Sequence, residues 1–328
     1  MIGVVSNRRS ISWAMAAFML LSITRGTAAA QSTDGTLRFS EIWAYLMYGE
    51  EAVLPAELPV SDLFYFSAEI NAYGELVGVP DIKRIGGYSG RKHLVVAEIG
   101  SYSLTHFCLD PSFPIRDSLI ASIVKAASPF DGVQVDFEAI PIRDRDNFVE
   151  FLKILKKALG SKILSVALPA RLSDSGDALG YARISAVVDR VIVMAYDEHW
   201  STSVPGPVAS MDWCRRVAEF ASARIPAGKL VMGLPFYGRA WGDKKPNKAY
   251  KYSGIESLAE EKNVGVFFRE NEIPMFRYEE TVGVVVYYDD AESITHRLGI
   301  YRDVGVDAVA FWRLGQEDPR IWARIQGQ

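Results

Sequence analysis

Eight short apolar runs recur along the chain, each rich in β-branched and aromatic residues, and most are followed by a segment with helical spacing. The runs are 42–48, 63–68, 94–99, 132–137, 163–168, 188–195, 230–234 and 308–311. This order is expected of repeated βα units, and eight is the strand number of a (β/α)8 TIM barrel. Such a barrel typically occupies about 250 residues, so the 328-residue chain fits one barrel with an insertion, and two average domains fit equally well.

The helical segment after the fourth run has the clearest pattern. Asp146 can cap its beginning and Gly160 can end it. Its apolar residues recur at three- and four-residue spacing, which predicts one buried face, and they are Phe148, Phe151, Leu152, Leu155 and Leu159. Comparable helices are predicted at about 115–127, 210–223 and 291–304.

The longest departure from this alternation lies between residues 241 and 289. Charged, aromatic and β-branched residues mix here, and residues 282–288 have the composition of a strand. Unstructured loops of this length are uncommon in compact domains. We therefore predict a small α+β insertion at about 242–288, between strands 7 and 8 of an α/β barrel, instead of one long irregular loop.

The N-terminus has the pattern of an export signal. Arg8 and Arg9 precede an apolar stretch at 11–23, and small residues at 27–30 follow it. An uncleaved membrane anchor is the alternative, but this stretch is shorter than the roughly 20 residues needed to cross a bilayer. We predict a secretory signal peptide at 1–30, a mature chain of 31–328 without a stable membrane anchor, and a periplasmic or extracellular location.

Charge and cysteine content narrow the class of protein further. Residues 1–30 contain three arginines and no acidic residue, so the mature chain would keep 33 basic and 40 acidic residues, a net charge of −7. A chain of this charge is not expected to bind nucleic acid. Cys108 and Cys214 could form one disulfide after export or remain as two buried thiols.

Glu138 directly follows the fourth run. Alternate side chains of a strand face opposite sides, so Gln134, Asp136 and Glu138 share one side. In a barrel this polar side would face the lumen, and Glu138 would lie at the C-terminal mouth, where barrel enzymes keep their active sites. Burying two carboxylates about 6.6 Å apart raises at least one pKa, as a general acid requires. An exposed edge strand with a solvated acidic face would also fit this segment alone.

The same segment resembles a family signature. Residues 131–138 are similar to the Asp-x-x-Asp-x-Asp-x-Glu motif of family 18 glycoside hydrolases, the chitinase family. Asp131, Asp136 and Glu138 match it, and Gln134 stands in place of the second aspartate. Further similarity, which extends the resemblance over nearly all of the mature chain, lies in residues 194–197, 233–241 and 311–315. The resemblance implies a barrel glycosidase that acts on a polysaccharide containing N-acetylglucosamine.

Several segments resemble one bacterial branch of that family, which contains spore-cortex and peptidoglycan N-acetylglucosaminidases. These segments are 196–200, 205–207 and 312–319. Members of the branch often carry an amide at the position of Gln134. Chitin and peptidoglycan share β-1,4-linked N-acetylglucosamine, so the resemblance leaves the polymer open and favours peptidoglycan.

Substrate-assisted retention is the mechanism that the resemblance implies. In this mechanism the substrate's 2-acetamido oxygen attacks the anomeric carbon, and no protein nucleophile is needed. Glu138 would protonate the leaving oxygen and then act as base toward water. Asp136 would hold the acetamido N–H and offset the charge of the oxazolinium intermediate, and Tyr196 would hydrogen-bond the acetamido carbonyl.

Other residues are expected to contact the substrate or its catalytic groups. Trp312 would form the apolar floor beneath the sugar at the cleavage point. Gln134 is an expected substrate contact, and its amide can still hydrogen-bond Asp136. The missing negative charge should let Asp136 stay ionised more readily. The pH optimum should then lie on the acidic side and be set by Glu138. The remaining expected contacts are Asp131, Asp197 and Tyr237.

A sugar-binding protein without activity is the alternative function, because some family 18 barrels have lost catalysis and act as lectins. Glu138, which is usually replaced in those proteins, is present here.

No metal or other cofactor is expected, because the histidines show no paired ligand spacing and the sequence has no Walker, Rossmann or Gly-x-Ser-x-Gly motif. The glycine-rich segment 86–90 predicts a turn.

Overall fold

The computed structural model describes residues 36–55, 57–243, 247–265, 267–279 and 283–327. The predicted signal peptide at 1–30 lies outside these residues and stays a prediction. Within the described ranges, no helix is both long enough and apolar enough to cross a membrane.

Sixteen strands and seven α-helices are present in the described residues. The strands are β1 Leu37–Phe39, β2 Glu41–Met47, β3 Asp62–Ile70, β4 Leu76–Val77, β5 Arg91–Glu98, β6 Gly132–Phe137, β7 Ile163–Pro169, β8 Arg190–Met194, β9 Leu230–Pro235, β10 Tyr237–Gly242, β11 Lys248–Lys251, β12 Phe267–Glu270, β13 Ile273–Glu279, β14 Gly283–Tyr287, β15 Ala308–Trp312 and β16 Ile325–Gly327. The helices are α1 Tyr102–Leu109, α2 Ile115–Ala126, α3 Arg145–Leu159, α4 Tyr181–Ser185, α5 Met211–Ser222, α6 Tyr252–Glu261 and α7 Ala291–Asp303.

Eight parallel strands form a closed barrel. Around the ring they run β2, β3, β5, β6, β7, β8, β9 and β15, and β15 pairs with β2 to close it. Each of these strands overlaps one of the eight predicted runs, so the predicted (β/α)8 barrel is confirmed. β4 extends β3 as an antiparallel hairpin, and β1 pairs with β16 outside the barrel.

Successive side chains of each barrel strand point alternately outward to the helices and inward to the lumen, which separates two apolar layers. On β6, Val133, Val135 and Phe137 point outward into the main core, where the Phe137 ring lies 6.2 Å from Phe148 and 5.8 Å from Phe151 of α3. The smaller cluster inside the lumen consists of Trp43, Tyr45, Phe64, Val95, Ile192, Val231, Ala308 and Ala310. The lumen is therefore filled by side chains, and its polar groups lie at particular levels along the barrel axis.

A buried imidazole closes the N-terminal end of the lumen. His93 lies flat against Phe64, with ring centroids 4.4 Å apart, and its Nε2 is 2.8 Å from the carboxylate of Asp62. Asp62 also accepts two hydrogen bonds from Arg91, and the two partners hold its pKa at about 2 although burial opposes this. Gly132 at the start of β6 leaves room for this ring, because a Cβ there would lie 2.5 Å from Nδ1 of His93.

The predicted helices are present, but one predicted cap is wrong. α2, α5 and α7 agree with the predictions within one residue at each end, and Gly160 ends α3 with a φ of 63°. Asp146 does not cap α3: it lies in the first turn, where its carboxylate pairs with Arg183. The residue before the helix is Asp144, whose carboxylate is held by other side chains.

The predicted insertion is a sheet of five antiparallel strands with one helix. The strand order is β11, β10, β14, β13 and β12, and α6 packs on one face against Ala240, Phe276 and Val286. The insertion begins at Tyr237, five residues before the predicted boundary, because β10 continues almost directly from barrel strand β9. Side chains of β10 that point away from α6 face the barrel mouth.

Both cysteines are buried free thiols, so the disulfide alternative is wrong. Cys108 lies on α1 and Cys214 on α5. Burial raises the pKa of each thiol to about 11, which keeps both protonated and unreactive.

Candidate active site

Two carboxylates stand one above the other at the end of β6. Asp136 is 6% exposed within the lumen, whereas Glu138, the first residue after the strand, is open to solvent at the mouth. The Glu138 amide donates to the Glu98 carbonyl (3.0 Å), which fixes the chain as it leaves the strand. This is the arrangement predicted from the alternation of the sequence.

Both carboxylates hold protons more strongly than they would in water. Burial, followed by the charge of Glu138, raises the pKa of Asp136 to about 7. Partial desolvation at the mouth, followed by the charge of Asp197, raises the pKa of Glu138. Because the charge of Glu138 disfavours a second negative charge beneath it, Asp136 keeps its proton toward neutral pH.

Gln134 does not bond Asp136, which corrects the predicted hydrogen bond. Its Oε1 accepts from the Tyr45 hydroxyl (2.6 Å), and its Nε2 donates to Ser165 Oγ (3.4 Å). Residues two apart on a strand stand about 6.6 Å from each other, whereas Ser165 is the register partner of Gln134 on the adjacent strand β7. Among the described residues, the buried Oδ1 of Asp136 has no hydrogen-bond donor.

Tyr45 is a site residue that sequence reasoning missed. It points inward from β2, is 4% exposed and has its ring 5.1 Å from Trp312. Burial and the nearby charge of Asp136 raise its pKa well above the usual value, so the hydroxyl stays a donor. Its only signal in the sequence was an inward position on an apolar strand, which an ordinary core tyrosine shares.

Tyr196 follows β8 and reaches the same level of the mouth. Burial raises its pKa well above the ordinary range, and Tyr45, Tyr237, Asp136 and Glu138 add to the shift, so all four lie close enough to interact with it electrostatically. The phenol therefore remains protonated and can donate a hydrogen bond. A Cβ at Gly233 would lie 3.1 Å from this ring and 3.0 Å from the Val193 carbonyl, which explains the glycine in the segment 233–241.

Asp197 is held in the left-handed region with a φ of 58°. Its Oδ1 accepts from the Tyr237 hydroxyl (2.6 Å) and from Arg239 (3.2 Å), both on β10 of the insertion. Aspartate tolerates this backbone conformation better than most residues. These bonds join the end of β8 to the insertion, and the Asp197 charge lies close enough to Glu138 to raise its pKa.

Trp312 ends β15 and presents an aromatic surface at the mouth. Its ring packs edge-on against Phe66, with centroids 4.9 Å apart, and tilted by 57° against Tyr45 at 5.1 Å, and it stays partly exposed. Trp312, Tyr196 and Tyr237 thus bring three aromatic side chains together at the mouth from β15, the end of β8 and β10, and their contact with substrate stays a prediction.

Asp131 lies at the wrong end of the barrel for substrate contact, so that prediction is wrong. It precedes β6, roughly 23 Å along the strand from Glu138. Its exposed carboxylate accepts from the Lys92 amide (2.8 Å), and its carbonyl accepts from the Ile163 amide (3.1 Å). Asp131 therefore joins β6 to its neighbours at the N-terminal face.

One group of potential metal ligands lies close together in the described part of the chain: His106, Asp110 and Asp144. Nδ1 of His106 is 2.9 Å from the Asp144 carboxylate, which also accepts from Asn147 (2.9 Å), and Nε2 is 3.8 Å from Asp110. These contacts tie α1 to the start of α3. None of the mouth residues described above belongs to this group.

Comparison with known proteins agrees with the geometry. The family model described as glycosyl hydrolases family 18 matches residues 114–317. YdhD of Bacillus subtilis, which bears the name of a sporulation-specific glycosylase, is 32% identical over 213 residues. That match covers 61% of this chain and 51% of YdhD, so it spans about half of that relative.

Two further proteins match over most of the chain. The uncharacterized glycosylase YvbX of Bacillus subtilis is 25% identical over 340 residues, which cover 94% of this chain and 95% of YvbX. The Bacillus cereus spore cortex-lytic enzyme SleL has a similar structure, with a TM-score of 0.79, 25% identity and coverage of 89% of this chain and 76% of SleL. With the family model matching well over half of its length, the chain belongs to the glycosyl hydrolases of family 18 and is a glycosidase.

Proposed function

We propose that this glycosidase is a retaining, substrate-assisted enzyme that cleaves β-1,4 bonds after N-acetylglucosamine in peptidoglycan, with Glu138 as acid and base. The observation that carries the proposal is the stacked pair at the end of β6. Glu138 is open to an incoming glycosidic oxygen, while Asp136 is buried beneath it on the same side of the strand.

This geometry favours attack by the substrate's own acetamido group. A protein nucleophile would have to reach the sugar from the face opposite the acid, about 5–5.5 Å from it. Asp136 lies instead on the acid's side, with Oδ1 free to accept a hydrogen bond from an acetamido N–H. The neutral Tyr196 hydroxyl can donate to the acetamido oxygen and direct it at the anomeric carbon.

The first step breaks the glycosidic bond. Glu138 gives its proton to the leaving oxygen, the bond electrons remain on that oxygen, and the acetamido oxygen forms a bond to the anomeric carbon. The positive charge on the ring favours an ionised Asp136, whereas the negative charge that Glu138 acquires in this step opposes it. Water then attacks the anomeric carbon, Glu138 takes its proton, and the acetamido group is restored.

Peptidoglycan is our preferred polymer over chitin. The support comes from the segments 196–200 and 312–319, which resemble the cortex-acting branch, and from the similarity to an enzyme whose name describes lysis of spore cortex. Chitin contains the same linkage after the same sugar, so both polymers must be compared directly.

Product analysis by mass spectrometry tests the proposal. Wild type should release fragments of purified peptidoglycan that end in reducing N-acetylglucosamine, and Glu138→Gln should release none. Asp131→Asn, changed at the opposite end of the same strand, is the matched control and should retain activity. Cleavage of chitooligosaccharides alone would contradict the choice of polymer, and binding without new reducing ends would identify a lectin.

We also propose that the protein acts outside the cytoplasm. The support is the pair Arg8 and Arg9, the apolar stretch at 11–23 and the small residues before Gln31. Intact-mass measurement of the protein recovered from its native host should give a chain cut near Ala30. A full-length chain in the cytoplasmic fraction would refute export.

A further inference from the structure

A cavity lies on the outer side of the insertion. Its volume is about 590 Å³, within the range of small-ligand sites. Its lining comes from α6, β12 and the end of β14 and includes Tyr252, Glu256, Glu260, Phe267 and Tyr288. Because Ala240 of β10 packs against α6 while Tyr237 and Arg239 reach Asp197, this cavity is on the face of the sheet that points away from Glu138.

Aromatic rings form the walls of this outer cavity. Tyr252 and Tyr288 lie with ring centroids 6.2 Å apart and tilted by 56°, and Phe267 on β12 is 54% exposed. Gly238 is required behind them, since a Cβ there would lie 2.5 Å from the Tyr288 side chain. The insertion's core thus holds these rings in place: Tyr252 is largely buried, whereas Tyr288 is partly exposed and Phe267 offers an exposed face to a ligand.

Two exposed carboxylates stand among these rings. Glu256 and Glu260 are one turn apart on α6, where like charges repel, and Glu260 lies in a last turn that has no basic residue to balance the helix dipole. Glu256 is also close enough to the Tyr252 hydroxyl to interact with it. Repulsion between the two carboxylates therefore raises the energy of the unliganded helix.

Nearby cations are committed to other partners. Arg320 pairs with Asp318 (2.7 Å) and also donates to the Tyr252 hydroxyl at the cavity wall (2.9 Å). Arg269 pairs with Asp290 and Glu292, and Lys262 pairs with Glu261 (2.8 Å). In the part of the chain that the structure describes, no ion pair includes Glu256 or Glu260. A cationic ligand placed between these two carboxylates and against the rings would meet both the charge and the apolar surface.

We propose that the outer cavity binds a glucosamine unit with a free ammonium group, as found where a β-1,4-linked N-acetylglucosamine polymer has lost acetyl groups. The ammonium would lie between Glu256 and Glu260, and the C–H face of the pyranose would stack on Tyr288 or Phe267. This identification of the sugar rests on the proposed function. The cavity would hold the polymer at a deacetylated unit while Glu138 acts on acetylated units elsewhere.

Binding is measured by calorimetry in the Glu138→Gln variant, so that cleavage of the probe cannot contribute to the measured heat. The probes are a glucosamine hexasaccharide, its fully N-acetylated counterpart and a lysine-containing peptide. Replacing both carboxylates, Glu256→Gln with Glu260→Gln, should weaken binding of the glucosamine hexasaccharide by about tenfold or more. Glu261→Gln, on the same helix but paired with Lys262, should leave it unchanged.

The N-acetylated hexasaccharide should be insensitive to the double substitution, and added salt should weaken only the glucosamine interaction. Equal affinity of the glucosamine probe for the double variant and its parent would overturn the proposal. An equal loss of affinity for the N-acetylated probe would also overturn it, because the ammonium group would then not be what is recognised. Equally tight binding of the lysine-containing peptide would overturn it as well, because the sugar would then not be what is recognised. If the protein does not cleave peptidoglycan, each of these binding results can still be interpreted, because none of them depends on cleavage.

Discussion

Tyr45→Phe removes one hydroxyl from the centre of the lumen without changing the shape of the ring. That hydroxyl donates to Gln134 Oε1 at 2.6 Å, and both side chains are buried. The change leaves the Gln134 oxygen without its donor, and an unsatisfied buried acceptor costs about 1–3 kcal/mol. We expect the free energy of unfolding to fall by this amount.

Urea unfolding followed by tryptophan fluorescence measures the effect. Tyr73→Phe is the control, since Tyr73 is 79% exposed and its substitution should change stability by less than about 0.5 kcal/mol. A double-mutant cycle with Gln134→Met should give a coupling energy of about 0.5–3 kcal/mol between Tyr45 and Gln134. Equal effects of Tyr45→Phe and Tyr73→Phe, or a coupling of zero, would refute the hydrogen-bonded role of Tyr45.

Three further changes test the electrostatics and packing of the barrel. Asp197→Asn removes a charge that raises the pKa of Glu138, so the alkaline limb of kcat/KM should move to lower pH; an unmoved limb would contradict this. Asp136 has a folded pKa of about 7, above its unfolded value, so its ionisation costs stability as pH rises from about 4 to 7. Asp136→Asn should therefore be about 2–4 kcal/mol more stable than wild type at pH 8 and nearly equal at pH 4, and a pH-independent difference would refute the shift. Gly132→Ala should lose about 1–3 kcal/mol in urea unfolding, because its Cβ would enter the imidazole at the N-terminal end of the lumen, whereas Gly228→Ala, with open space, should not.

The strand positions and the pair Asp136 and Glu138 could be predicted because they depend on the local alternation of apolar and polar residues. Period-two patterning separates Val133, Val135 and Phe137 from Gln134 and Asp136, and burial of the barrel makes that separation decisive. The helix over 145–159 was predictable for the same reason, from one apolar face ended by a glycine with positive φ.

The errors concern contacts between distant segments. The partner of Gln134 is Tyr45, 89 positions away, and no spacing in the sequence specifies that pairing. Asp131 matches a motif position, but its place before β6 puts it on the opposite face from Glu138. Asp146 satisfies the rule for a cap, yet its carboxylate pairs with Arg183 across the structure.

The anomeric configuration of the first product tests the central claim most directly. Proton NMR during hydrolysis of a defined peptidoglycan oligosaccharide should show the β-anomer of N-acetylglucosamine first, because two displacements at one carbon retain configuration. Glu138→Gln should give no product on the same time scale. A first-formed α-anomer, or equal rates for wild type and Glu138→Gln, would contradict substrate-assisted retention with Glu138 as the acid.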